Sequence, residues 1–125
     1  MEILVTGGAG FLGSHLVDAL IARGDQVIVF DDLSRGSSDQ IADGTTFVEG
    51  DVRSIQDWER IFEAHSPKVI HHLAAVNGTR RFHKEADLVV DVNINGTMNA
   101  LQLAKKHGCR MIFYSSPESF GEQES

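Results

Sequence analysis

The chain is poor in features that mark several common protein classes. It has one cysteine, Cys109, which excludes an internal disulfide and fits a reducing, cytoplasmic compartment. That cysteine stands next to an expected strand, where a small buried apolar side chain is the expectation. No apolar stretch approaches the roughly 20 residues that span a bilayer as a helix, so no membrane association is expected. The amino terminus carries Glu2 and no basic region, and its apolar run stops at Thr6-Gly7, so no targeting segment is read. Basic clusters are also missing. The net charge is −7, and Arg80-Arg81 is an isolated pair, which argues against a nucleic-acid partner. There is no Cys/His cluster. His71 and His72 are neighbours on an expected strand and point to opposite faces, so no metal is expected. Ser14-His15 has no acid placed to complete a triad. A Gly-x-x-x-x-Gly-Lys-Ser/Thr loop is absent, as are repeats, linkers and low-complexity tracts.

What is present is an ordinary globular composition, 42% hydrophobic and 23% charged, in 125 residues. That is enough for one domain with a core. The chain is organised around Thr6-Gly7-Gly8-Ala9-Gly10-Phe11-Leu12-Gly13. An apolar run, Ile3-Leu4-Val5, precedes it, and an amphipathic run from Phe11 to Arg23 follows. The order is therefore strand, glycine turn, helix. In that context the glycines suit a tight turn, close approach to a pyrophosphate, and close helix–strand packing. The free N–H groups and dipole of the helix start would hold the phosphates. Leu12, Leu16 and Leu20, with Val17 and Ile21, read as the buried stripe.

Gln26 to Phe30 is the second strand, and a right-handed crossover sets it parallel to the first. Asp31 ends it, 18 residues past Gly13. At this offset an acid accepts hydrogen bonds from the adenosine ribose hydroxyls and repels a 2′-phosphate. NAD is the expected cofactor; Arg35 keeps NADP as the alternative. Ser34 to Thr45 reads as a loop with one helical turn near Gln40. Thr46 to Val48 is the third strand. Ser54 caps a helix to about His65, in which Trp58 is expected to pack. Lys68 to Leu73 is the fourth strand, and small residues follow it. A helix is expected over Glu85 to His107, with Leu88, Val92, Leu101 and Ala104 inward. Asn93, Asn95 and Gly96 interrupt it and hint at a close approach or ligand contact. Gly108 closes it. Arg110 to Tyr114 is the fifth strand. The pattern predicts an α/β fold with a doubly wound parallel sheet of Rossmann type in three layers.

Six stretches in one order carry a family resemblance. They are Thr6 to His15, Asp31-Asp32-Leu33, Gly50-Asp51-Val52-Arg53, His72-Leu73-Ala74-Ala75, Asn93-Ile94-Asn95-Gly96-Thr97, and Ser115 to Gly121. The chain resembles the N-terminal part of extended short-chain dehydrogenase/reductases, in particular the NAD-dependent epimerase/dehydratase family that acts on nucleotide sugars. The resemblance implies that Gly7, Gly10 and Gly13 approach the pyrophosphate, beside the Phe11 and Leu12 backbone. It places Asp31 on the adenine ribose with Asp32 next to it, and Asp51 and Val52 on adenine. Leu73, Ala74, Ala75 and Asn93 would line the cofactor. Ser116 matches the catalytic Ser/Thr that hydrogen-bonds the substrate oxygen. A nucleotide-sugar substrate is implied, and a homodimer is admitted.

The chain departs from the family pattern in two ways. The family's general acid/base is the tyrosine of a Tyr-x-x-x-Lys pair downstream of that serine. The only tyrosine here is Tyr114, with Glu118 four residues on, and Phe120 replaces a common tyrosine before Gly121. The expectation is therefore a dinucleotide-binding domain over residues 1–125, with the later strands and the substrate lobe missing. It would be a fragment or truncated frame, or a chain whose exposed fifth strand a partner covers. Two other readings stand beside the enzyme: a non-catalytic dinucleotide sensor, and an S-adenosylmethionine methyltransferase. The Gly10-x-x-Gly13 spacing speaks against the second.

Overall fold

The computed structural model describes residues 1–33, 43–73 and 91–114. Five strands form one sheet: β1 (Glu2–Thr6), β2 (Gln26–Asp31), β3 (Thr46–Glu49), β4 (Val69–His72) and β5 (Arg110–Phe113). Their spatial order is β3-β2-β1-β4-β5 and every pairing is parallel. This is the expected doubly wound sheet. The inner strands β1, β2 and β4 are almost wholly buried because both faces are covered, while the edge strands β3 and β5 stay partly exposed.

One face carries α1 (Phe11–Ala22), whose Val17 and Leu20 pack on Ile3, Val5, Val27 and Val29. The opposite face carries α2 (Ile55–Ala64) and α3 (Gly96–His107). There Trp58, Ile61, Ala100 and Leu103 close over Leu4, Ile28, Phe30 and Ile70. Crossing from β1 to β2 runs one way along the sheet, and crossing from β3 to β4 runs the other. Right-handed connections then place the helices on opposite faces. The direction changes between β1 and β4, which opens a crevice at their carboxyl ends.

Local signals set the ends of these elements. Ser54 accepts the Asp57 N–H at 3.3 Å and starts α2. Gly108, at φ 70°, closes α3. A π-helical turn, Asp91–Asn95, leads into α3.

Each expected stripe holds apart from one leucine. Leu16, Val17, Leu20 and Ile21 on α1 pack on the core, as do Val92 before α3 and Ala104 on it, but Leu12 and Leu101 do not. On α1 the buried residues are Gly13, Val17 and Leu20, while Leu12 is 63% exposed. On α3 the buried residues are Gly96, Ala100, Leu103 and Ala104, while Leu101 faces out. In both helices a glycine marks the buried line, because the helix lies too close to its neighbour for a large side chain there. The helical turn near Gln40, residues 85–90 of the expected last helix, and Leu88 lie outside the described residues.

Candidate functional site

The turn after β1 begins with Gly7, whose φ of 76° is a left-handed conformation that favours glycine. Its N–H donates to the Phe30 carbonyl at 2.9 Å, tying the turn to β2. A Cβ on Gly13 would collide with the Gly7 carbonyl and stand 2.8 Å from the Gly8 Cα. Close packing thus requires glycine at Gly13. Gly10 is different. A Cβ there would meet only the Gly7 oxygen, at an ordinary 3.6 Å, so nothing within the described fold demands glycine at that point.

Gly10 is also the N-cap of α1 and supplies no capping side chain. The first helical bond in the turn runs from the Ser14 N–H to the Gly10 carbonyl at 2.8 Å. The N–H groups of Phe11, Leu12 and Gly13 therefore have no intrahelical acceptor. Phe11 and Leu12 are exposed beside them, at 75% and 63%. This is the local arrangement that receives an anion at a helix start.

Asp31 closes the side of the turn. It is 9% exposed at the end of β2. Its Oδ2 accepts the Ala9 N–H at 2.9 Å, and its Oδ1 accepts the Leu33 N–H at 2.8 Å. Leu33 stands at φ 64°, held there by that bond. Each carboxylate oxygen has two acceptor sites, so each can accept one further hydrogen bond. Asp32 follows, exposed.

The base of the turn rests on Thr6. Its hydroxyl accepts the Leu73 N–H at 3.0 Å and meets His72 Nδ1 at 2.8 Å. His72 Nε2 reaches the Thr97 hydroxyl on α3 at 3.3 Å. The His72 ring is 1% exposed, near Trp58 and Phe113. Burial holds its pKa down at about 4, so it is neutral at physiological pH and can donate only one proton. His71 points to the other face of the sheet, and its Nδ1 meets the Tyr114 hydroxyl at 2.7 Å. Burial, and next Arg23, lower the His71 pKa, which Asp25 partly opposes.

A second turn, Gly50 to Ser54, leaves β3 at the same edge of the sheet. The Gly50 N–H donates to the Asp31 carbonyl at 3.1 Å, so the two turns are tied together. Asp57 Oδ2 accepts the Asp51 N–H at 2.9 Å. The Asp51 carboxylate is gripped by Arg53, with Nε at 3.0 Å from both oxygens and Nη2 at 2.6 Å. That grip lowers the Asp51 pKa, against the opposing effect of burial. The Val52 carbonyl accepts from Trp58 Nε1–H at 2.8 Å and Asn99 Nδ2–H at 3.0 Å.

The fold thus gathers Gly7, Gly10, Phe11, Leu12, Gly13, Asp31, Asp32, Asp51, Val52 and Leu73 along the carboxyl edge of the sheet. Asn93 lies partly buried in the π-helical turn before α3. Ala74, Ala75, Ser115 and Ser116 lie outside the described residues. Sequence reasoning missed Thr6, His72, Asp57 and Asn99 as supports, and saw Trp58 only as packing. Ser54-x-x-Asp57 was a readable helix-start signal. Asn99 carried none.

Among curated proteins, the chain is 38% identical over 123 residues to UDP-glucose 4-epimerase from Halalkalibacterium halodurans, covering 98% of this chain and 36% of that protein. The crystal structure of UDP-glucose 4-epimerase from Thermotoga maritima with UDP-glucose superposes with a TM-score of 0.89 at 40% identity. It covers 93% of this chain and 38% of that one. The Thermus thermophilus UDP-glucose 4-epimerase in complex with NAD gives the same TM-score and coverage at 36% identity. The chain therefore spans a little over a third of the length of these relatives. The profile of the NAD dependent epimerase/dehydratase family matches residues 3–125. Because that match runs through every element described above, the chain belongs to the NAD dependent epimerase/dehydratase family.

Proposed function

We propose that this chain is the NAD-binding portion of a nucleotide-sugar epimerase/dehydratase-like oxidoreductase. The observation that carries the reading is the Asp31 carboxylate, held beside the glycine turn by the Ala9 N–H with acceptor sites to spare. A fixed carboxylate there accepts the two ribose hydroxyls and repels a 2′-phosphate, which favours NAD over NADP. The residues fit a dinucleotide. Gly10 has space over it, the start of α1 offers N–H groups to phosphates, and the Gly50–Ser54 turn stands beyond Asp31.

In this reading Gly7, Gly10, Gly13 and the Phe11 and Leu12 backbone hold the pyrophosphate. Asp31, with Asp32 adjacent, holds the ribose. Asp51 and Val52 flank the adenine. Leu73, Ala74, Ala75 and Asn93 line the remainder, and Ser116 hydrogen-bonds the substrate oxygen. When bound, NAD supplies a hydride acceptor for transient oxidation of a sugar carbon. The UDP-glucose named with one relative and the NAD named with another support the substrate and cofactor classes.

Calorimetric titration of the intact protein with NAD tests this. Asp31→Ala removes hydrogen bonds to a charged acceptor, so NAD affinity falls roughly tenfold or more. Discrimination against NADP shrinks in the same variant. Unchanged NAD affinity would sink the role of Asp31.

A further inference from the structure

The Val52 carbonyl in the Gly50–Ser54 turn is held by side chains from two helices. Trp58 reaches it from α2 at 2.8 Å and Asn99 from α3 at 3.0 Å. A buried carbonyl needs one partner; this one has two, arriving from separate elements. The approach of α3 is itself built in. A Cβ on Gly96 would stand 2.6 Å from Val52 Cγ2, so only glycine lets the helix come this near. One residue back, the Asp51 N–H is fixed by Asp57 Oδ2. The Asp51 N–H and the Val52 carbonyl are therefore oriented by side chains, while the Asp51 carbonyl between them accepts the Ser54 N–H at 2.9 Å.

We propose that Asn99 is a positioning residue for the adenine end of the dinucleotide, acting through the Val52 carbonyl that it holds jointly with Trp58. This rests on the reading above, in which Asp51 and Val52 flank the adenine. Trp58 alone keeps the carbonyl paired, so loss of the Asn99 amide leaves no orphaned buried acceptor. What is lost is the second direction of restraint. The effect falls on binding at one end of the ligand and spares the fold.

The experiment compares Asn99→Leu and Asn99→Gln with the unaltered intact protein by calorimetry, using NAD, AMP and nicotinamide mononucleotide as separate probes. Asn99→Leu weakens NAD and AMP by the same factor, roughly two- to tenfold, as expected for one hydrogen bond. It leaves nicotinamide mononucleotide unchanged and the melting temperature within a few degrees. Asn99→Gln keeps an amide donor and restores the affinity for NAD and AMP. The inference is overturned if Asn99→Leu binds NAD and AMP as tightly as the unaltered protein. It is equally overturned if affinity for all three probes falls together with the melting temperature, or if Gln is no better than Leu. Failure of the unaltered protein to bind NAD at all removes the functional reading, and this inference with it.

Discussion

Two turns leave the sheet at its carboxyl edge and are held in opposite ways. The turn after β1 is shaped by its own backbone. Gly7 adopts a left-handed conformation, Gly13 makes room for it, and one carboxylate, Asp31, braces it from the side. The turn after β3 has one backbone bond of its own, from the Ser54 N–H to the Asp51 carbonyl, and is otherwise held by side chains: Asp57 and Trp58 from α2, Asn99 from α3, and its own Arg53. A turn of the first kind writes its geometry into its own residues. A turn of the second kind depends on residues up to 47 positions away.

Substitution at the glycines gives the largest expected effect and tests whether the first turn is self-determined. Gly13→Ala forces a Cβ onto the Gly7 carbonyl and the Gly8 Cα. Backbone cannot swing aside as a side chain can, so α1 must lift from β1. The cost is about 3 kcal/mol or more, and a denaturant titration reads it. Gly10→Ala meets no such obstacle and leaves the unfolding midpoint unchanged, yet NAD affinity falls roughly tenfold or more, because the methyl group occupies the place proposed for phosphate. A Gly10→Ala variant that bound NAD normally would break the distinction drawn between the two glycines.

The base of the first turn is the next target, through His72. Its folded-state pKa, about 4, lies below the ordinary 6.5. The unfolded chain therefore binds a proton that the folded one refuses as pH falls from 6.5 toward 4. Stability contributed by neutral His72 is complete above pH 6.5 and is lost as pH falls through that window, amounting to about 3 kcal/mol. Protonation would also place a second donor against hydroxyls of Thr6 and Thr97. His72→Asn lowers stability at pH 7 and flattens its slope between pH 4 and 6.5. Chemical denaturation at several pH values measures both. An unaltered slope in the variant would show that other groups control that window.

The contrast also explains what was legible in the sequence. Ile3-Leu4-Val5, the glycines and Asp31 lie close together in the chain, and local chemistry gives each a reason, so the sheet and the first turn could be read directly. The helix faces were read by size, and this went astray at Leu12 and Leu101. Both are exposed because the inner line is taken by small residues, Gly13 on α1, and Gly96 and Ala100 on α3, where close approach leaves no room for leucine. Nothing near Val52 in sequence announces Asn99. A polar residue on a helix has many ordinary reasons to be there, and only the packing of α3 shows what this one touches.

Trp58→Phe probes the second turn with a smaller effect. It removes the shorter of the two bonds to the Val52 carbonyl and part of a fully buried ring that also packs edge-on against Phe30 at 5.2 Å. The carbonyl keeps Asn99, so the expected loss is about 1–3 kcal/mol, well short of truncation to alanine. Combined with Asn99→Leu, the loss exceeds the sum of the two single losses, because only the double variant leaves the carbonyl unpaired. Strict additivity in that cycle would show that the two donors do not share one acceptor in solution.

The smallest effect belongs to Arg53 and Asp51, and it sharpens the comparison where the second turn meets solvent. Both side chains are about a third exposed, at 35% and 32%, so water and salt weaken their attraction. Hydrogen bonds from Arg53 lower the Asp51 pKa below its ordinary 3.8, while burial works against them. A carboxylate held below its unfolded value adds stability that is present above pH 3.8 and is lost as pH falls below it. Arg53→Ala therefore costs under about 1 kcal/mol at pH 7, and less at high salt. It also removes part of the stability loss seen below pH 3.8. If Arg53→Ala proved as damaging as Trp58→Phe, the turn would be held chiefly by its exposed ion pair and not by the two buried donors on Val52.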